Sequence, residues 1–415
     1  MKNLVGACMF GQSGGPTSVI NASAAGVFIE ALKQPNITKV YGAANGIKGV
    51  LDENFYEIDK EDMDELMLLK NTPSSALGSV RYKLKSVKED DTDYKRILEV
   101  FKKYNIRYFF YNGGNDSMDT CNKISKYLLK QGYDCNIIGV PKTIDNDLYG
   151  TDHCPGYGSA AKYVATTMME LYLDATVYNK GQITIVEIMG RNAGWLTAAS
   201  TLASYKGYGP DLVYLPEKPF DIDKFLESVK KVADKNNGKC IVALSEGIKT
   251  ADGKYVVEAI AANNAAKDSF GHTQLGGVAA TLANLVSEKI GGKVRAIEFS
   301  LMQRCGAHLA SATDIKEAFE AGRRAVKYAC AGRTDKMVVF ERQPGPVYKI
   351  KYKLMRLTLA ANTEKKIPLE WIKEDDTGLT KEFIDYALPL IQGASKSPVE
   401  DGLPRFAHLK KIRVK

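Results

Sequence analysis

The stretch Val140-Pro-Lys-Thr-Ile-Asp-Asn-Asp147 follows an apolar run and gathers two carboxylates, an amine and a hydroxyl. Asp145 and Asp147 stand two apart, so an extended or turning loop presents both to one pocket. There one carboxylate can take a proton from a hydroxyl while the other holds metal or substrate. Lys142 and Thr143 bring a compact cation and a hydroxyl donor to the same mouth. The plain structural reading of this stretch is an Asx-type turn that caps the next helix.

Two glycine corners accompany it. Phe10-Gly-Gln-Ser-Gly-Gly-Pro-Thr-Ser-Val-Ile-Asn21 and Tyr111-Asn-Gly-Gly-Asn-Asp-Ser-Met118 each follow an apolar run and lead into helical spacing. Bare backbone N–H groups and the helix dipole favour an anion at such corners. Gly14 and Gly15 allow close approach of a phosphate, and Pro16 suits the first turn of a helix, where its missing N–H costs nothing. The spacing is neither the dinucleotide fingerprint nor a P-loop; the bland alternative is a tight turn without ligand. In the second corner, Gly114, Asn115, Asp116 and Ser117 would line the site, and Asp116 is the odd member because its carboxylate repels a phosphate. In Glu187-Ile-Met-Gly-Arg-Asn-Ala-Gly-Trp195, Arg191 is placed to reach across a cleft for bidentate phosphate contact, or merely to pair with a surface acid. Lys293-Val-Arg-Ala-Ile-Glu-Phe-Ser-Leu-Met-Gln-Arg304 sets Arg295 and Arg304 around a further strand and turn. Two anionic sites, carboxylates between them and arginines to one side make up the inventory of phosphoryl transfer, in which positioning and charge neutralisation do most of the catalysis.

Positioning such groups needs a rigid frame, and the sequence supplies one. Short apolar runs alternate with amphipathic segments up to about residue 340, the pattern of strands and helices in a doubly wound parallel sheet. Strands are expected at 4–10, 39–44, 108–112, 136–140, 183–189, 212–215, 239–245 and 293–298. Helices are expected at 17–32, 93–104, 118–131, 158–178, 192–204, 222–235, 276–289 and 314–331. Ligands collect at the carboxyl ends of such strands, where the polar clusters lie. The first sheet should give way to the second near Pro155-Gly156-Tyr157-Gly158. From 341 to 415 the alternation fades and prolines recur, which reads as a tail packed on the body.

The 415 residues suffice for two or three domains, and the charged fraction of 26% and hydrophobic fraction of 45% are those of a globular chain without a disorder signature. The net charge of +8 by itself suits an acidic small substrate, RNA or an anionic membrane equally well until its placement is known. The basic runs Lys349-Ile-Lys-Tyr-Lys353 and His408-Leu-Lys-Lys-Ile-Arg-Val-Lys415 read as solvated faces before partner sites. No aromatic ladder alternates with basic residues, so nucleic acid is not an expected partner. Seven cysteines without a Cys-x-x-Cys pair indicate reduced thiols. His153, His272, His308 and His408 show no metal-ligand spacing, and Phe270-Gly-His-Thr-Gln-Leu-Gly-Gly277 reads as structural. Gly11 and the glycines after it cut the first apolar stretch short of a signal peptide, and no run approaches the ~20 apolar residues of a membrane span; a cytoplasmic protein is expected.

The set Gly14-Gly15, Leu77-Gly-Ser-Val-Arg81, Gly113-Gly-Asn-Asp-Ser117, Pro141-Lys-Thr-Ile-Asp-Asn-Asp147, Met189-Gly-Arg191, Glu246 and Gln303-Arg304 resembles, in order, the 6-phosphofructokinase family. The resemblance covers about residues 4 to 330. It implies an α/β fold of two doubly wound, mainly parallel-sheet domains with the active site in the cleft between them. It also implies a donor domain of residues 1–156 plus about 305–340, a sugar-phosphate domain of 157–304 and an extension of 341–415. It assigns Asp145 as base on the sugar's 1-hydroxyl, Asp147 and Thr143 as orienting groups, and Arg81 as a steadying charge. Met189, Gly190, Arg191, Glu246, Arg295 and Arg304 would hold the sugar phosphate. Two positions depart from the family: Gln182 stands where an arginine often reaches in from a neighbouring subunit, and Leu301 where a histidine is common.

ATP-dependent members carry glycine where this chain has Asp116, whereas members using inorganic pyrophosphate resemble it, with an Asp there and a Lys at the position of Lys142. Two unit charges ~4 Å apart repel by about 4 kcal/mol at an effective dielectric of ~20, so Asp116 disfavours a triphosphate by charge as well as bulk. The resemblance therefore points to pyrophosphate and fructose 6-phosphate as substrates, a reaction that runs readily both ways, and a homodimer or homotetramer. Mg²⁺ is the implied cofactor, held mainly by pyrophosphate; Asn115 replaces a frequent metal-binding Asp and is a weaker candidate ligand. The rival readings are an ATP-dependent enzyme, or a regulatory subunit that keeps the fold without catalysis.

Overall fold

The computed structural model describes residues 4–260, 277–361 and 363–414. The Phe270–Gly277 run, apart from Gly277, lies outside them. Its backbone builds two main sheets. Strands β1 (Gly6–Gln12), β2 (Ile37–Ala43), β3 (Phe55–Glu57), β4 (Ile106–Gly113), β5 (Asn136–Pro141), β6 (Gln182–Ile188), β7 (Leu212–Tyr214), β8 (Cys240–Ser245), β9 (Lys293–Glu298), β10 (Lys336–Arg342) and β11 (Ile350–Arg356) follow in chain order. The first sheet has the order β11-β10-β5-β4-β1-β2-β3 and the second β7-β8-β6-β9. All pairings in the second sheet are parallel, and in the first only the outermost strands β3 and β11 run antiparallel to their neighbours.

The double winding is legible in β1. Every residue of Gly6–Gln12 is buried, and because side chains alternate along a strand, Ala7 and Met9 enter one core while Cys8 and Phe10 enter the other. Helices Thr92–Lys103 and Asn115–Lys130 cover the first face; Ile20–Ala31 and Ala312–Cys330 cover the second. The second sheet divides likewise, with Val186 and Ile188 on the side of helix Tyr157–Thr176 and Ile183 and Ile185 on the side of helices Ile222–Lys235 and Val278–Lys289.

Several boundaries differ from the sequence expectation. The first helix starts at Ile20, so Pro16 lies in the preceding loop rather than in a first helical turn. That loop is bent by Gly14, at φ +76°, and by Thr17, whose hydroxyl accepts the Val19 N–H at 3.1 Å. The helix after β4 begins earlier than expected, at Asn115, which puts Asn115, Asp116 and Ser117 in its first turn. The helix expected over 192–204 is two short ones, Trp195–Ala199 and Thr201–Tyr205; between them the Ser200 N–H and hydroxyl both return to the Thr197 carbonyl, a local bond that tightens the turn. Beyond 340 the chain is more regular than expected. β11 pairs with β10 as an edge strand whose Lys351 and Lys353 face solvent while Ile350, Tyr352 and Leu354 lean on the core, so the basic run is a solvated face that is also a strand. The closing residues pair with β3: Glu57 N–H donates to Ile412 O and Val414 N–H to Phe55 O.

Candidate functional site

In the first sheet the strand order reverses beside β1: the chain moves from β1 to β2 on one side and reaches β4 on the other. The carboxyl ends of strands at such a switch leave a crevice. Both glycine corners sit there, Ser13–Gly15 after β1 and Gly114–Ser117 after β4, and the Lys142–Asp147 loop after β5 lies beside them. The second sheet points its own strand ends at the same space: Met189 and Arg191 follow β6, Glu246 follows β8 and Arg304 follows β9. Between the two sheets they enclose a cavity of about 580 Å³.

The cavity is lined by Gly14, Gly15, Arg81, Gly114, Asn115, Asp116, Ser117, Lys142, Thr143, Asp145, Asp147, Met189, Arg191, Glu246 and Arg304. Gly190 adjoins it and donates its N–H to Glu246 Oε1 at 3.3 Å. Arg295 is elsewhere: it projects from β9, the outermost strand of the second sheet, and is exposed. Gln182 opens β6, buried, with its amide donating to Thr184 Oγ1 at 3.2 Å, and Leu301 is exposed.

The glycines are there for space. A Cβ on Gly14 would meet Lys142 Nζ at 3.3 Å, and one on Gly15 would meet Arg304 Nη1 at 3.0 Å. Lys142 is buried and donates from Nζ to the Gly15 carbonyl at 2.7 Å. Burial pushes its pKa down to about 8; Asp145 and Asp147 pull it up, and Arg81 and Arg304 push it down. Asp145 takes its N–H to Thr143 Oγ1 at 3.1 Å, and the same hydroxyl donates to Asp145 Oδ2 at 3.2 Å, which fixes the carboxylate. Burial raises its proton affinity against the opposing pull of Thr143, Lys142, Arg191 and Arg81. Asp147 is pushed to about 7 by burial and by the negative charges of Asp145 and Glu364, and Glu246 to about 7 chiefly by burial. Carboxylates poised near neutrality in a cleft are suited to proton transfer.

Among the residues that line the cavity, two buried side-chain atoms lack hydrogen-bond partners within the protein: Arg191 Nε and Asn115 Oδ1. The first is a guanidinium donor facing the cavity and free to meet an anion. The second is a hard oxygen beside Asp147, whose Oδ2 accepts from Asn115 Nδ2 at 3.3 Å. No group of three or more His, Cys, Asp or Glu able to hold a metal ion exists among the described residues, so an ion there would draw most of its ligands from a bound phosphate.

Asp116 sits on the cavity wall with its side chain 47% exposed and Lys83 Nζ at 3.8 Å. Water and that lysine weaken its charge, so the barrier it presents to a larger donor rests more on volume than the sequence argument allowed. It also favours the dipole of the helix it begins.

The sequence matches the Phosphofructokinase family over residues 8–328. The chain belongs to the phosphofructokinase family. It is 44% identical over 99% of its length to the pyrophosphate–fructose 6-phosphate 1-phosphotransferase of Xanthomonas campestris pv. campestris, covering 97% of that protein. It is 43% identical over 98% of its length to the protein of the same name from Halomonas elongata, covering 96% of it. The crystal structure of pyrophosphate-dependent phosphofructokinase from Nitrosospira multiformis superposes with a TM-score of 0.89 at 40% identity, over 99% of this chain and 98% of that one.

Within this phosphofructokinase cavity, sequence reasoning missed Ser13, Pro16, Ile144, Asn192, Ala193 and Glu364. Most are neighbours of residues it found. Glu364 is different: it arrives from the segment beyond the family match, and no local motif marks it.

Proposed function

We propose that this chain is a pyrophosphate-dependent phosphofructokinase, moving a phosphoryl group reversibly between pyrophosphate and the 1-hydroxyl of fructose 6-phosphate in the cytoplasm, in glycolysis and gluconeogenesis. The observation that carries the choice of donor is that Asp116 and Lys142 line one and the same cavity. The acid narrows the space where a nucleotide's inner phosphate would lie, and the buried ammonium offers a point charge to a small anhydride. In this reading Gly14, Gly15, Gly114, Asn115, Ser117 and Lys142 bind the donor, and Met189, Gly190, Arg191, Glu246 and Arg304 bind the sugar phosphate.

Asp145 takes the proton of the 1-hydroxyl as its oxygen bonds to the terminal phosphorus. The bridging P–O bond breaks, and inorganic phosphate leaves with the bond's electron pair. Thr143 holds Asp145 in place, Asp147 orients the acceptor, and Lys142 and Arg81 balance the charge on the moving group. Bound Mg²⁺, held by pyrophosphate oxygens with Asn115 Oδ1 and Asp147, would neutralise phosphate charge. Arg295, exposed on an edge strand, would in this reading serve a second copy in a homodimer or homotetramer.

Purified protein assayed with fructose 6-phosphate and Mg²⁺ should form bisphosphate with pyrophosphate and not with ATP. Turnover with ATP alone would reverse the assignment of the donor, and turnover with neither would support the non-catalytic subunit.

A further inference from the structure

The segment beyond the family match returns to the cleft at Glu364 and Lys365 and joins its two halves there. Toward the first sheet, the Lys365 N–H donates to the Asp147 carbonyl at 2.7 Å, and Glu364 forms a β-bridge with Leu148. Lys365 Nζ donates to the carbonyls of Asp152 at 2.7 Å and Thr151 at 3.3 Å. Toward the second sheet, Glu364 Oε1 accepts from Asn192 Nδ2 at 2.9 Å, and the Lys365 carbonyl accepts from Trp195 Nε1 at 2.9 Å. The Lys365 ammonium also lies 5.0 Å from the centre of the Trp195 ring. Two residues on, the Ile367 N–H donates at 3.2 Å to Glu217 Oε1, which also accepts the Gly194 N–H at 2.9 Å.

The loops so joined are the ones that matter. One carries Asp145 and Asp147; the other carries Met189 and Arg191 and continues through Asn192 to Trp195. In-line transfer requires the two to stand at a fixed separation, since a misplacement of ~1 Å costs about a hundredfold in rate. Lys365 is also a costly group to keep there: burial lowers its proton affinity, and its ammonium donates to the neutral carbonyls of Thr151 and Asp152. A methionine would fill the same space without desolvating a charge.

We propose that Glu364 and Lys365 form a positioning strap that sets the acceptor-binding turn against the carboxylate loop, Glu364 holding the turn at Asn192 and Lys365 holding the loop at Asp147 and Asp152. The inference rests on the proposed phosphoryl transfer, and each residue carries a separate signature. Glu364→Ala should raise the KM for fructose 6-phosphate at least fivefold, because the turn bearing Arg191 loses its tether. Lys365→Met should lower kcat at least tenfold while the KM for pyrophosphate stays within threefold. Glu364→Gln keeps an acceptor oxygen for Asn192 and should recover most of the sugar-phosphate affinity. Trp195 supplies a readout independent of turnover: the chain has two tryptophans, and in a Trp371→Phe background the emission of Trp195 should change on Lys365→Met.

The strap is overturned if both variants keep kcat and both KM values within twofold of the parent with Trp195 emission unmoved. It is equally overturned if losses of activity follow only the fraction of unfolded protein in thermal melts. A parent protein inactive with pyrophosphate would instead overturn the donor assignment, and the strap would then stand or fall on Trp195 emission.

Discussion

At the scale of single residues, the site works by setting opposed charges close together out of water, and Lys142 shows the consequence best. Its amine is held at about 8 because burial outweighs the attraction of Asp145 and Asp147, so the free protein loses this cation just above neutral pH. A pyrophosphate anion stabilises the charged form, which leaves the complex protonated to higher pH. The kcat/KM for pyrophosphate should therefore fall as pH rises through about 8, while kcat stays level further into the alkaline range. Lys142→Arg, which cannot lose its charge in that range, should lower the rate and remove the alkaline limb attributable to this residue. A limb of the same midpoint in the arginine variant would show that another group, or the substrate, titrates there. Most of the cavity-lining residues could be picked out in advance because they stand just beyond strand ends, beside glycines or other charged residues, signals that are all local. Asp116 was legible as a type and misjudged as a charge, since its exposure and the nearness of Lys83 depend on how the 81–85 stretch folds back over the helix.

At the scale of elements, the site depends on two helices that lie on the far face of the first sheet. Helices Ile20–Ala31 and Ala312–Cys330 cross with glycine against backbone: a Cβ on Gly26 would meet Phe319 O at 2.0 Å, and one on Gly322 would meet Ser23 O at 2.1 Å. Neither contact can be relieved by a side-chain rotation, so the axes must part. Gly322→Ala gains about 1 kcal/mol in helix propensity but overpacks a buried interface, at roughly 1–3 kcal/mol or more, and here the second effect should win. The expected outcome is a lower thermal midpoint and a weakened anion corner after β1, since the Ile20 helix follows that corner. A Gly322→Ala protein that melts higher than its parent would mean that the helices tolerate separation. Neither glycine was singled out from the sequence, because a helical glycine carries no local mark of the chain that crosses it. Strands β10 and β11, the second of them an edge strand, escaped for a related reason. The lysines of β11 describe a solvated surface correctly, whereas Met337–Phe340 of β10 are buried, and only the pairing of β10 with β5 joins both strands to the sheet.

At the scale of the whole molecule, the residues past 340 tie the body together, and a charged cluster beneath the carboxylate loop is the knot. His153 is buried, with Nδ1 2.8 Å from Asp152 Oδ1 and Nε2 2.7 Å from Glu317 Oε2. Arg342 of β10 donates to Asp152 at 3.0 Å, and the Tyr348 hydroxyl donates to Glu317 at 2.8 Å. The Tyr386 hydroxyl donates to the Asp152 carbonyl at 2.8 Å and accepts from Asn146, the residue between the two site acids, at 2.7 Å. From the sequence His153 could be placed only as a core or surface histidine, since its partners lie more than 150 residues away in the case of Glu317. Burial alone would lower its pKa, but Glu317 and Asp152 outweigh burial and raise it from 6.5 to about 9. A histidine whose folded pKa exceeds its unfolded value contributes stability that is complete below about 6.5 and is lost as pH rises through about 9. At 1.36 kcal/mol per unit that contribution is about 3 kcal/mol. His153→Gln cannot gain the proton and leaves Asp152 and Glu317 facing each other. The gap in stability between parent and variant, measured by urea unfolding, should be widest near pH 6 and shrink by about 3 kcal/mol on going to pH 9.5, a difference in which titrating groups remote from this cluster cancel. A gap that is the same at both ends of that range would mean that His153 is neutral in the folded protein and that the knot is held by Arg342 and the two tyrosines alone.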